Sequence, residues 1–413
     1  MNSSSSPPPS PARPSRVNLR RPDVMEQVQA EVENHYRSQI VDKVRTRDGC
    51  LTIGNTTVRL AQAFGFCYGV ERAIDLAYAA RRVFSDREIY LIGEIIHNPE
   101  VNRQLQAMGI KNVDGPTPDK QIHELTAEDV VIVPAFGTTA ELMTKLQERG
   151  CQVIDTTCGD VMTVWKRVRK YAEEGVTSII HGKSYHEETK ATASRSTGPD
   201  GRGHYLVVLD LEETDYVCRY IEHGGDREEF LRKFAHAHSE GFDPDRDLQR
   251  IGVANQTTML KSETEEMQRR LGASVQRRDH GSTENFRLFE TICGATQERQ
   301  DALFKMLEHP MDLLLVVGGY NSSNTSQLVK IGGKHLPTFF IRDADCLHSL
   351  EEIVHYDLGR KHEVTSYSSA LLGDGPATVG ITAGASCPNN LIEQTILKIF
   401  SLRGIAPEIV AES

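Results

Sequence analysis

The sequence has no apolar run long enough to cross a bilayer. Its longest stretches, such as Leu313 to Val317, fall far short of the roughly 20 residues that a spanning helix needs. It also lacks an excess of basic charge. A formal net charge of −11 argues against a surface that coats nucleic acid, because a polyanion requires a basic face. An anionic small molecule stays compatible with that balance, since a local pocket can oppose the global sign. No apolar signal core stands near the start and no C-x2-C pair occurs among the eight cysteines, which excludes a secreted disulfide framework and disfavours a compact zinc site. A reducing compartment is expected, the cytoplasm first. Acidic residues are missing before Asp23. The segment MNSSSSPPPSPARPSRVNLRRP cannot bury enough apolar surface to order itself and reads as a disordered tail. An organelle transit peptide shares this composition, and a plastid is the alternative location.

What is present is a chain of 413 residues, 38% hydrophobic and 25% charged, long enough for two or three domains with real cores. From Leu51 onward, strand-like runs alternate with helical ones, the pattern of parallel sheets with helical crossovers. Each apolar run ends in polar or glycine-rich sequence: IYLIGEIIHN at His97, VVIVPAFGTT at Thr138 and Thr139, SIIHGKSYHEET at His186 and Glu188. IGVANQTT ends at Thr257, LLLVVGGYNSSNT at Ser322 to Thr325, and VGITAGAS at Ser386. Ligands of open parallel sheets sit at the carboxyl ends of strands, so one polar site fed by many strands is expected. Two stretches read as insertions without assigned chemistry: TGPDGRGH at 197–204, a loop, and the highly charged 219–250, a solvated surface helix with loops.

Three cysteines share one setting. Cys67 precedes a helical stripe of Val70, Ala73, Ile74, Ala77 and Tyr78, with glycines two residues to either side. Cys158 follows a short strand and precedes Val161, Val164, Trp165, Val168 and Tyr171. Cys293 precedes Ala295, Ala302, Leu303 and Met306. The unpaired amides at a helix start are expected to lower a thiol's pKa and favour the thiolate that soft metals bind. Three such units around a pseudo-threefold axis would bring the sulfurs together. Three thiolates on a cubane cluster leave one iron without a protein ligand, and that iron can bind substrate. Taken singly, each cysteine reads as readily as a small buried hydrophobe. Cys50, Cys151, Cys218, Cys346 and Cys387 lack the setting and are taken as structural. His181 and His186 are too awkwardly spaced for a zinc pair.

The motifs GFCYGVERAI, IIHNPEV, DTTCGDV, HEET, NQTT, TICGAT, NSSNT and TAGAS, in this order between about Leu60 and Leu397, resemble those of the 4-hydroxy-3-methylbut-2-enyl diphosphate reductases, enzymes of the non-mevalonate isoprenoid pathway. The resemblance implies a trefoil of three pseudo-repeated α/β units around a 4Fe-4S cluster held by Cys67, Cys158 and Cys293. The expected division is an extension over 1–50, units over 51–150, 151–290 and 291–400, and a tail over 401–413. The implied reaction is a two-electron reductive dehydroxylation to isopentenyl and dimethylallyl diphosphates, with ferredoxin or flavodoxin as donor. Position by position, His97, His186, Ser322, Ser323, Asn324 and Ser386 fall where the family holds its substrate. Thr257 falls near the substrate hydroxyl, and Glu188 is the implied proton source. If the HEET segment is extended, Glu187 faces away from the site.

Two departures stand out. Ala135-Phe136-Gly137 replaces the family's frequent AHG, which removes an imidazole donor and makes Phe136 a packing residue at the rim. Gly159 stands where proline is usual after the second cysteine. Quinolinate synthase has a similar three-cysteine architecture, but HEET, NSSNT and TAGAS favour the reductase. An iron-sulfur sensor would need a regulatory surface such as a basic face, against the acidic balance.

Overall fold

The computed structural model of the chain describes residues 17–113, 118–198, 200–289, 292–367 and 375–412. Most of the N-terminal tail and Pro199 of the first insertion lie outside the described residues. The strands in chain order are β1 (Cys50–Ile53), β2 (Thr56–Leu60), β3 (Ile89–Leu91), β4 (Ile110–Asn112), β5 (Val130–Val133), β6 (Gln152–Asp155), β7 (Thr177–His181) and β8 (Tyr205–Val208). They continue as β9 (Ile251–Asn255), β10 (Phe286–Arg287), β11 (Leu313–Val317), β12 (Thr338–Ile341), β13 (Glu352–Asp357), β14 (His362–Tyr367) and β15 (Ala377–Ala383).

Among the described residues three sheets form, in the orders β4-β3-β5-β6, β10-β9-β7-β8 and β1-β2-β15-β11-β12, with β13-β14 as a separate antiparallel ribbon. Every pairing in the first two sheets is parallel. In the third only β1-β2 is antiparallel. The central strands β5, β7, β9 and β11 are buried along their whole length. Such runs of Val, Ile and Leu suit strands covered by helices on both faces. The architecture is the expected mixed α/β trefoil of three sheet units.

The sheets are not three consecutive stretches of chain. β6, just beyond position 150, pairs with β5. β2 pairs with β15 near the far end, through Val58 opposite Val379. Helices Pro22–Tyr36 and Gln39–Arg45 precede β1. Val24, Val28 and Tyr36 join the same core as Ala73, Ile74 and Ala77 of the helix Tyr68–Val83.

The 219–250 stretch is not one solvated helix. It holds the end of helix Leu211–His223, then Arg227–Lys233 and Pro244–Asp247. Its apolar positions Ile221, Phe230, Phe234, Phe242 and Leu248 are buried in one cluster with Tyr220. A handful of rings is enough here because each aromatic side chain buries about 150–250 Å².

Candidate active site

Each of the three cysteines is the residue immediately before a helix. Cys67 caps Tyr68–Val83, Cys158 caps Gly159–Glu173 and Cys293 caps Gly294–Leu307. Each belongs to a different sheet, following β2, β6 and β10 respectively. Their backbones are fixed in the same way, by a bond to a loop that leaves a neighbouring strand. The Cys67 N–H donates to Ala385 O at 3.2 Å, Cys158 to Ala135 O at 2.8 Å and Cys293 to Thr257 O at 3.2 Å. The residues AFG, NQTT and TAGAS therefore anchor the cysteine loops as well as line the site.

Gly69 brings two sulfurs to one point. A Cβ added there would lie 2.6 Å from Cys158 Sγ and 3.9 Å from Cys67 Sγ, so only glycine lets the first turn of the helix Tyr68–Val83 approach the second cysteine. Cys67 also acts electrostatically on both Cys158 and Cys293. Cys158 and Cys293 do not follow the expected downward shift. Burial pushes Cys158 up and Cys293 up to about 12, although backbone amides of Asp160, Val161 and Thr296 do reach the sulfurs. Desolvation of a buried thiolate outweighs two or three N–H dipoles. All eight cysteines are free; Cys151, Cys218, Cys346 and Cys387 are buried, and none of the five others caps a helix beside this point.

Two arginines absent from the sequence reading hold the cysteine loops to one another. Arg72 Nη1 donates to Thr156 O and Thr157 O, each at 3.1 Å, joining the Cys67 helix to the Cys158 loop. Arg299 joins the Cys293 helix to the Cys67 loop through Gly65 O at 2.6 Å. Arg299 was visible in principle, because it interrupts the apolar face formed by Ala295, Ala302 and Met306.

Beside the thiols lies Glu188, fully enclosed. Its Oε1 accepts the Thr257 N–H at 2.6 Å, and the Thr257 hydroxyl bonds the same carboxyl. Burial raises this acid from 4.5 to about 7 against those bonds. The segment is not extended. Helix Glu187–Ser196 begins at once, capped by His186. Adjacent side chains are then about 100° apart instead of opposed. Glu187 is exposed, yet its Oε2 lies 3.6 Å from His97 Nε2, so it does not turn wholly away from the site.

His186 is buried and its pKa is pushed well below the ordinary value, by desolvation first and then by His97, Lys183 and Lys190. Its Nδ1 accepts the Glu188 N–H at 3.2 Å. In the neutral ring the proton is consequently on Nε2, which is a donor. His97 sits edge to face with His186 at 5.0 Å and is stacked on Phe136 at 4.6 Å and 16°. His97, His186 and Glu187 bring potential ligand atoms within 4.8 Å of one another. The His186 tautomer leaves no lone pair on Nε2 for a metal, so His186 itself serves an acceptor-rich ligand better than a cation. His181 stands apart, bonded to Thr264 Oγ1 at 2.7 Å.

The NSSNT turn completes the site. Ser322 caps helix Ser323–Gly332, accepting from Thr325 N and Oγ1 at 3.3 and 2.9 Å. Asn324 Oδ1 accepts the Ala385 N–H at 2.9 Å, and Ser386 Oγ donates to His97 O at 3.3 Å. Gly319 packs so closely that any side chain would overlap the His97 carbonyl. Buried polar atoms with no partner among the described residues include His97 Nε2, Ser323 Oγ and Asn324 Nδ2. An orphaned buried polar atom costs about 1–3 kcal/mol, and a ligand rich in acceptors would satisfy the donors among them, Ser323 Oγ and Asn324 Nδ2.

The chain is similar to known proteins over most of its length. Residues 58–400 match the model of the LytB protein family. The 4-hydroxy-3-methylbut-2-enyl diphosphate reductase of Gloeobacter violaceus is 48% identical, over 92% of this chain and 91% of its own. That of Thermosynechococcus vestitus is 46% identical, over 92% and 93%. A solved structure of (E)-4-hydroxy-3-methyl-but-2-enyl diphosphate reductase, the terminal enzyme of the non-mevalonate pathway, superposes with a TM-score of 0.50 at 27% identity, covering 83% of this chain and 99% of that one. The E-1-hydroxy-2-methyl-but-2-enyl-4-diphosphate reductase from Plasmodium falciparum shares the fold, with a TM-score of 0.60 at 20% identity over 84% and 90%. With a family model spanning most of its length and relatives close to half identical, this chain belongs to the LytB family.

Proposed function

We propose that the chain catalyses reductive dehydroxylation of (E)-4-hydroxy-3-methylbut-2-enyl diphosphate to isopentenyl and dimethylallyl diphosphates, at a 4Fe-4S cluster ligated by Cys67, Cys158 and Cys293. The observation that carries this reading is three helix-capping cysteines, one from each sheet unit, beside an enclosed carboxylic acid and a set of unpartnered donors. The thiols fit a cluster: Gly69 leaves the space between two sulfurs clear, and amide N–H groups point at Cys158 and Cys293. A buried thiol held high by desolvation becomes a stable thiolate only with a cation to offset it. When bound, the cluster would relay the two electrons one at a time from an external donor and would offer an iron site without a protein ligand.

The protein side of the chemistry follows from the residues. The net change is substrate plus two electrons plus two protons giving product plus water. The diphosphate takes up the N–H of His186, the hydroxyls of Ser322, Ser323 and Ser386, the Asn324 amide and the ring of His97. These groups stand on loops from all three units, so they fix the allylic end against the thiol side of the site. Glu188, half protonated near pH 7, holds a proton next to Thr257. It is the acid for loss of the hydroxyl as water and, once reprotonated from solvent, supplies the second proton, taken up at carbon. Thr257, anchored through its own N–H, orients its hydroxyl toward that carboxyl. Electrons come from a small redox carrier of the ferredoxin or flavodoxin kind, in a reducing compartment, cytoplasm or plastid. Among the described residues no helix is long and apolar enough to cross a membrane.

The test is anaerobic purification, quantification of iron and sulfide, and assay with this allylic diphosphate and a reduced dye. Four irons per chain and formation of the two isoprenoid diphosphates are expected. Iron-free protein that still turned over, or iron-loaded protein inert toward this substrate, would overturn the reading.

A further inference from the structure

His97 and His186 reach the same space, but their rings are held in opposite ways. The His186 Nδ1 accepts a backbone N–H. The His97 Nδ1 lies 2.8 Å from Glu94 Oε2. A carboxylate can only accept, so His97 must carry its first proton on Nδ1. Its Nε2 is buried and unpartnered. In a neutral ring that atom would present a lone pair to phosphate oxygens and repel them. We propose that Glu94 is a positioning residue, which holds His97 as a doubly protonated donor to the diphosphate; this rests on the diphosphate reading above.

The surroundings suit a cationic ring. The face of Phe136 lies parallel to it at 4.6 Å, where an aromatic quadrupole favours positive charge. Glu187 stands 3.6 Å from Nε2 on the open side, and Glu188 feels the charge of His97 from the inner side. His186 meets the ring edge to face, with Lys183 and Lys190 acting on it from behind. The loop bearing the pair is tied down by hydrogen bonds. The Ile95 N–H donates to Asn102 Oδ1 at 3.0 Å, the Ala135 N–H to Ile95 O at 3.0 Å, and Asn102 Nδ2 to Ile96 O at 2.9 Å. Asn98 caps the following helix, Pro99–Ala107. Glu94 itself is partly exposed, at 38% of its side chain, and belongs to none of the buried clusters among the described residues. Its replacement therefore tests the imidazole and not the fold.

The experiment uses the anaerobically purified, unreduced chain labelled with 15N in histidine, and inorganic pyrophosphate as probe. In the wild type, pyrophosphate should produce one histidine with both ring nitrogens protonated, and His97→Asn should identify it by its loss. Glu94→Gln should abolish that signature and weaken pyrophosphate binding by about tenfold or more, the range for losing a charge-assisted contact. KM for the allylic diphosphate should rise in the same ratio while kcat changes by less than about threefold, the pattern of lost uniform binding. Glu94→Asp should recover part of the affinity. A Glu94→Gln protein that keeps the doubly protonated ring and its pyrophosphate affinity, or loses kcat at unchanged KM, overturns the proposal. If the wild type binds neither pyrophosphate nor the substrate, the diphosphate reading falls and this inference with it.

Discussion

Arg299 donates through Nη2 to the carbonyl of Gly65, two residues ahead of Cys67, at 2.6 Å. Its other arm bonds Ala295 O at 2.9 Å, and the residue is only 5% exposed. One guanidinium thus sets the separation between the loop of the first cysteine and the helix of the third. Arg299→Met should destabilise the chain by about 2 kcal/mol, because it leaves a buried carbonyl without its donor. The expected result is a melting temperature several degrees lower under anaerobic conditions and less iron per chain. Unchanged iron and an unchanged melt would deny Arg299 this role.

The cysteines separate by substitution. Cys67→Ser, Cys158→Ser and Cys293→Ser should each lose most of the cluster's visible absorption, while Cys151→Ser and Cys387→Ser keep it. Gly69→Ala makes the same point without touching a sulfur, since its methyl would stand 2.6 Å from Cys158 Sγ. Iron content should fall in that variant too. Normal iron in Gly69→Ala would mean that the sulfur has room to move aside.

Glu188 sets a pH dependence with a defined sign. Its protonated form is the one that delivers a proton, so turnover should decline as pH rises through about 7. Glu188→Gln should lower turnover by about 10²-fold or more at unchanged pyrophosphate affinity. The same variant should be more stable than the wild type at pH 8. An acid whose folded value is raised weakens folding above its unfolded value of 4.5, fully so above about 7. Removing that ionisation relieves on the order of 3 kcal/mol, and the difference should vanish near pH 4. Melts at the two pH values check this; a Glu188→Gln protein less stable at pH 8 contradicts the burial argument.

Phe136 supports a ring neighbour and offers no strong hydrogen-bond donor of its own. Phe136→His retains an aromatic face over His97, so activity should stay within about tenfold, near 1.4 kcal/mol of barrier. Phe136→Ala removes that face and should raise KM more than it lowers kcat. Steady-state kinetics of the two variants separate these outcomes. A thousandfold loss in Phe136→His, with iron intact, would point to a specific chemical role for the ring.

How much of this could be read from the chain alone depends on range. The cysteine settings are local, a strand, a thiol and an amphipathic helix within about twenty residues, and such periodic patterns are legible. The polar strand ends were legible for the same reason. The joining of β2 to β15 was not, because strand order depends on contacts between residues over three hundred positions apart. Nor was the Arg299–Gly65 contact, beyond the oddity of a charge on an apolar face. The shifts of Cys158 and Cys293 ran opposite to expectation because helix-end amides are a local feature, whereas burial is a property of the finished fold. The start of a helix at Glu187 turned on one capping histidine, and histidine is not a common signal for a cap.

The pairing of β2 with β15 also orders events in time. On the ribosome the loop of Cys67 emerges early, but the strand that fixes it, and the Ala385 carbonyl that receives its N–H, emerge only after nearly all the rest. Long-range parallel pairing is slow because it must first close a large loop of chain. Two of the three sulfur sites can therefore be assembled while synthesis is still under way, and the third waits for the end. A chain cut short before β15 would lack both the strand beside β2 and the carbonyl that receives the Cys67 N–H, while the backbone anchors of Cys158 and Cys293 would already be in place.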